Sequence, residues 1–158
     1  MAKKLKKIRG SRQFSGIAGE HYVAAELSRR EAIATLTSKN TSGIDILAAD
    51  LTGKKTVAIQ VKTSRSEFGG IIVGDSNQIP RNAYYIFVLL KDASPPDYWI
   101  VPQPVVSRIV EREWTSWVKV GPASRQHAPK TLSWEHLRSA EFEQYHNDNG
   151  WNILRITR

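Results

Sequence analysis

The stretch from Gly43 to Ser64, GIDILAADLTGKKTVAIQVKTS, predicts a β-hairpin. Ile44 to Ala49 alternates, with Ile44, Ile46 and Ala48 on one face and Asp45, Leu47 and Ala49 on the other. Thr56 to Lys62 does the same, with Val57, Ile59 and Val61 opposite Ala58, Gln60 and Lys62. Asp50 to Lys55 carries the turn, and Gly53 can take a positive φ. A hairpin symmetric about Thr52-Gly53 sets residue 50 against 55, and therefore 45 against 60. Directly opposed residues have Cβ atoms roughly 4.5–5.5 Å apart and point the same way. Asp45, Gln60 and Lys62 are thus expected in one patch, provided that no bulge breaks the register.

A carboxylate, an amide and an ammonium are costly to place among apolar neighbours unless they are paired or bound to a metal. Two readings follow. One is a structural Asp45–Lys62 ion pair with Gln60 filling a hydrogen bond; the other is a chemical site. The preceding segment bears on the choice. A helix is predicted from Ser15 or Gly16 to about Arg30, rich in alanine and free of proline. At about 100° per residue, Ile17, Val23, Ala24 and Leu27 share a face, and Glu20 falls inside that apolar arc. A carboxylate there calls for a cation, a metal or a bound water.

The remaining chain reads as one unit with no repeat and no linker. Ala32 to Ser38 is a strand, Ile71 to Val73 a short one, and Tyr84 to Leu90 (YYIFVLL) a central strand buried on both faces. Arg65, Asn77 and Arg81 lie in polar loops able to line a groove. Tyr98 to Val101 returns, Pro102 stops it, and Pro104 opens a helix through Val110. Trp114 to Val120 is expected to be a strand or extended arm, followed by a basic loop to Lys130. Ser133 caps a short helix through Leu137. Ser139 to Tyr145 is a second helical piece and Asn147 to Gly150 a turn, with Trp151, Ile153 and Leu154 docking the end. The five tryptophans are expected in the core, including Trp114 and Trp117, although both neighbour basic residues and are able to stack on bases. The four histidines show no metal-ligand spacing.

With 158 residues and 41% hydrophobic content, the chain suits one globular domain, 15–158, after a basic N-terminal tail, 1–14. That tail holds Lys3, Lys4, Lys6, Lys7, Arg9 and Arg12, and such a block repels itself. The net charge of +8 favours a polyanionic partner, nucleic acid first. The absence of cysteine excludes disulfides and thiolate metal sites and is compatible with a cytoplasmic location. No segment reaches the roughly 18 apolar residues of a membrane span, and no secretory signal follows the basic N-terminus.

The Gly19-Glu20 helix, the Gly43-Ile44-Asp45 strand start and the Ile59-Gln60-Val61-Lys62-Thr63 strand resemble the PD-(D/E)XK nuclease superfamily, which includes type II restriction enzymes and archaeal Holliday-junction resolvases. The motif covers about Ser15 to Ser64, and the later strand and helix follow in the order of that fold. The resemblance implies an α/β fold with a restriction-endonuclease-like core: a central mixed sheet flanked by helices, of αβββαβ type. It implies a metal-dependent DNA endonuclease using Mg2+ or Mn2+, with Glu20, Asp45, Gln60 and Lys62 as catalytic residues. Asp45, Gln60, the Val61 carbonyl and Glu20 would hold the metal. DNA would meet the basic tail, Ser64 and Arg65, and a homodimer would let two sites cut two strands. Two departures stand out: Ile44 precedes Asp45 in place of proline, and Gln60 takes the place of the usual acid. An uncharged amide weakens the hold on a metal, so the alternative is a catalytically inactive nucleic-acid-binding module on the same fold. A third reading is a protein-interaction domain without nucleic-acid affinity.

Overall fold

The computed structural model describes residues 11–38 and 43–157. Its centre is a five-stranded mixed sheet. Strand β1 (Ile33–Leu36) pairs antiparallel with β2 (Ile46–Ala49), and β2 with β3 (Thr56–Ser64). Strand β3 runs parallel to β5 (Tyr84–Leu89), which pairs antiparallel with β6 (Asp97–Pro102). A second, two-stranded ribbon joins β4 (Gly70–Ile72) to β7 (Thr131–Ser133).

The hairpin register is the expected one. Ile46 pairs with Ile59 and Ala49 with Thr56, and the Asp50 N–H donates to the Lys55 carbonyl across the turn at 3.0 Å. Gly53 takes φ +69° there. The strand alternation then divides the core in two. Ile46, Ala48, Ile59 and Val61 face helix α1 (Ser11–Arg29), together with Ile86, Val88 and Ile100. Tyr85, Phe87 and Val101 face the other way, against Val106, Ile109 and Val110 of helix α2 (Gln103–Lys119). A strand buried on both faces accounts for the unbroken apolar run of β5.

Helix α1 starts at Ser11, earlier than the expected Ser15 or Gly16, so Arg12 belongs to the helix and not to the tail. Arginine and glutamine at 12 and 13 are good helix formers and extend it. Lys3, Lys4, Lys6, Lys7 and Arg9 lie outside the described residues. The buried line of α1 is Ser15, Gly19, Val23 and Leu27, an i, i+4 series, with Glu20 half-buried beside it.

Four further differences are local. Trp114 to Val120 is not a strand, because α2 continues to Lys119. Asn147–Trp151 is a one-turn helix, α4, where a turn was expected. Strand β7 was not anticipated. At the C-terminus Ile156 is buried and Ile153 only half-buried, beside the expected Trp151 and Leu154.

Helix α3 (Trp134–Leu137) begins as predicted, with the Ser133 side chain accepting the His136 N–H at 3.2 Å. It seats Trp134 and Leu137 in the core. Ser133→Ala is expected to cost about 1 kcal/mol of unfolding free energy through loss of that cap. Urea titration would show it as a lower midpoint at unchanged slope, and an unchanged midpoint would refute the role.

Candidate functional site

Strands β2 and β3 part at Asp45. The Asp45 N–H donates to the Ile59 carbonyl at 2.9 Å, although Ile59 already pairs with Ile46. Two residues thus stand against one, as in a bulge. On its other side the Asp45 carbonyl accepts the Thr37 N–H at 2.9 Å. Beyond Ile59, strand β3 has no β2 residue beside it. The Val61 N–H instead donates to the Asp45 carboxylate, Oδ2, at 2.7 Å. The side chain replaces the missing strand.

Gln60 completes the arrangement. Its amide Nε2 donates to the same Asp45 Oδ2 and lies 3.5 Å from the Val61 carbonyl oxygen. Asp45 and Gln60 therefore meet as expected, but through the fork in the sheet and not through a continued ladder. Lys62, two residues on, is half-buried and attracts Asp45 electrostatically. Burial pushes the Asp45 carboxyl above its ordinary value, opposed by the Val61 N–H, Lys62 and Gln60. Burial pushes the Lys62 ammonium below its ordinary value, opposed by Asp45. Both charges are poorly solvated, and each holds the other ionised.

Lys62 opens onto a cleft of about 510 Å3 at the end of β3, whose walls include Arg12, Ser15, Ser64, Arg65 and Ile71. The Arg65 Nε donates to Ser15 Oγ at 3.0 Å, tying the loop after β3 to α1. Ser15 is buried at 7% exposure, a role not read from the sequence beyond helix initiation. Its place one turn before Gly19 on the buried line was the available signal. Arg65 also lies 3.7 Å from Asp92. Ser64 Oγ donates to the carbonyl of Ser66, another residue lining the cleft, at 2.8 Å. Asn77 and Arg81 line a different groove, beside Arg108.

Glu20 is on α1, next to Gly19, and engages a polar partner. Among the described residues, no three His, Cys, Asp or Glu cluster to hold a metal. The donor set at the fork is one carboxylate, one amide and one carbonyl. The Gln60 NH2 sits against two oxygen acceptors, Asp45 Oδ2 and the Val61 oxygen. Oxygen acceptors are the ligand type that a hard cation takes, with waters and a phosphate completing the shell. As it stands the amide presents its N–H groups there, so a cation at the fork would require Gln60 to turn its oxygen inward.

The tryptophans divide. Trp99, Trp134 and Trp151 are buried, as expected. Trp117 is 44% exposed and Trp114 half-buried, so neither is the core residue expected. Both stand on the helix that replaced the expected strand, four and seven residues after buried Val110.

No protein-family model, no curated protein and no solved structure matches this chain. The fold defines a mixed α/β protein whose five-stranded sheet is flanked by helices. No helix among the described residues is long and apolar enough to cross a membrane.

Proposed function

We propose that the chain is a metal-dependent DNA endonuclease on a restriction-endonuclease-like core. One observation carries the reading: where β2 leaves β3, the Asp45 carboxylate turns to bond Val61 and Gln60, with Lys62 coupled to it on the wall of a basic cleft. A structural ion pair alone does not require the sheet to fork there or the lysine to open onto a groove.

Asp45, the Gln60 amide oxygen and the Val61 carbonyl would hold Mg2+ or Mn2+, with Glu20 as the helix-borne acid. Such an ion polarises a phosphoryl oxygen and acidifies water. The chain's own residues do the rest. Lys62, which lines the cleft, would orient the attacking water and the scissile phosphate. Burial holds its ammonium below the ordinary value, so the neutral amine that can take the water's proton and pass it to the leaving oxygen is easier to reach than in a solvated lysine. Water oxygen bonds phosphorus as the ester P–O bond breaks. Arg12 and Arg65 line the approach and meet strand phosphates.

The test is nicking of supercoiled plasmid with Mg2+ or Mn2+, against an EDTA control. Gln60 favours the second reading, a binding module without catalysis, since its amide hydrogens already satisfy Asp45 and Val61. That reading predicts salt-dependent DNA binding with no product under either ion. Gln60→Glu separates the two. A full charge about 4 Å from a dication is worth about 8 kcal/mol at an effective dielectric of about 20, before the desolvation cost. If the site holds a metal, half-saturating Mg2+ falls at least about tenfold in this variant. No change in metal dependence would remove Gln60 from the metal.

A further inference from the structure

Two clefts flank the β4–β7 ribbon. Ile72 lines the Lys62 cleft, and its register partner Thr131 lines a second cleft of about 330 Å3. The second cleft is walled by Trp114, Trp117, Glu113 and Pro129. Each indole carries a cation. The Arg125 guanidinium lies 4.5 Å from the Trp117 ring centre, and the Lys130 ammonium 5.0 Å from that of Trp114. Arg125 also donates to the Trp117 carbonyl at 2.9 Å, and among the described residues it forms no ion pair with a carboxylate. The two acids nearby are engaged: Glu113 with His136 at 3.0 Å, and Glu111 with Lys130 at 2.5 Å.

An exposed indole backed by a guanidinium offers a flat π-face and a positive rim. A ligand with stacked planar groups on an anionic thread matches both features. An aliphatic or acidic peptide matches one at most. Duplex DNA keeps its base faces stacked on each other, whereas an unpaired strand exposes them.

We infer that the Trp114–Trp117 cleft is a base-stacking subsite for unpaired DNA, one that continues the Lys62 cleft across the ribbon. It rests on the nuclease reading for the identity of the strand as DNA, and it makes the substrate a DNA with a single-stranded tract. The strand would lie along Arg12 and Arg65, cross Ile72 and Thr131, and stack bases on Trp117.

The experiment measures binding of labelled oligo(dT) to the full chain in EDTA by fluorescence anisotropy. An abasic oligonucleotide of equal length carries the same phosphates and no bases. Wild type is expected to prefer oligo(dT), and Trp117→Ala to weaken oligo(dT) binding about 5- to 100-fold. Abasic binding stays unchanged, and Trp117→Phe retains most of the preference. Equal affinity of Trp117→Ala and wild type for oligo(dT) would overturn the inference. So would equal losses on both oligonucleotides, which mark a fold or charge effect. The two readings fail separately. Plasmid nicking by wild type with no base preference sinks only the subsite, and base preference without nicking sinks only the nuclease.

Discussion

Lys62→Ala is expected to lower metal-dependent nicking by about 10²- to 10⁴-fold, the range typical of a positioned proton-transfer group. The protein should stay folded. Lys62 is half-buried and poorly solvated, and its ammonium is held below its ordinary value mainly by burial. Removing it leaves Asp45 without its countercharge, but that carboxylate keeps the Val61 N–H at 2.7 Å and the Gln60 amide. Asp45→Asn gives the sharper test. Asparagine keeps the shape and can still accept from Val61. The charged form of Asp45 is disfavoured by burial, so neutralising it relieves part of that cost. Nicking should disappear while thermal stability changes little, because the relieved burial of the Asp45 charge offsets the Lys62 ammonium left without its countercharge. A residue serving only as an ion-pair partner would leave nicking intact. Nicking that survives both substitutions would remove the fork from the chemistry.

How much of this was legible depended on how far apart the deciding contacts lie. The Thr56 to Ser64 register is set by a six-residue turn segment and a period of two, both local, and the pairing of Ile46 with Ile59 followed. The fork at Asp45 was not legible. It depends on where β2 leaves β3, which alternation does not mark. Helix α2 was read short because Trp114, Thr115, Trp117 and Val118 have weak helical preference. Contacts from outside the helix hold that half: the Trp114 indole N–H on the Ala128 carbonyl, and Arg125 on Trp117. The three residues of β7 are a strand only because Gly70 to Ile72 pair with them, some sixty residues away. Asn147-Asp148-Asn149-Gly150 has turn composition, yet the Arg30 guanidinium binds Asp148 at 2.7 Å and packs over Trp151, fixing a helical turn. The meeting of Asp45 with Gln60 was readable from the pattern, whereas the donor directions of Gln60 and the place of Ser15 required the packed sheet.

Gly19→Ala is expected to destabilise the fold by about 1–3 kcal/mol, even though alanine is the better helix former by about 1 kcal/mol. A Cβ at position 19 would stand 1.9 Å from Thr63 Oγ1 and 2.9 Å from Thr63 Cβ. Rotating the threonine clears the first contact but not the second, since Cβ is fixed to the strand. The helix must then lift from β3. Because 1 kcal/mol moves the midpoint of a chain this size by about 2–4 °C, thermal unfolding should fall by several degrees. Thr63 Oγ1 is buried with no hydrogen-bond partner among the described residues, so Thr63→Ala alone should cost under about 1 kcal/mol. Combined with Gly19→Ala it removes the closest atom but leaves Cβ, and should restore part of the loss. The double-mutant cycle should give a coupling of at least about 1 kcal/mol. Ser15 lies one turn before Gly19 and holds Arg65, so lifting α1 also shifts the cleft beside Lys62. Nicking by Gly19→Ala should therefore drop at temperatures where the variant is still folded. Wild-type stability in Gly19→Ala, or additivity with Thr63→Ala, would show that this close approach does not place the helix.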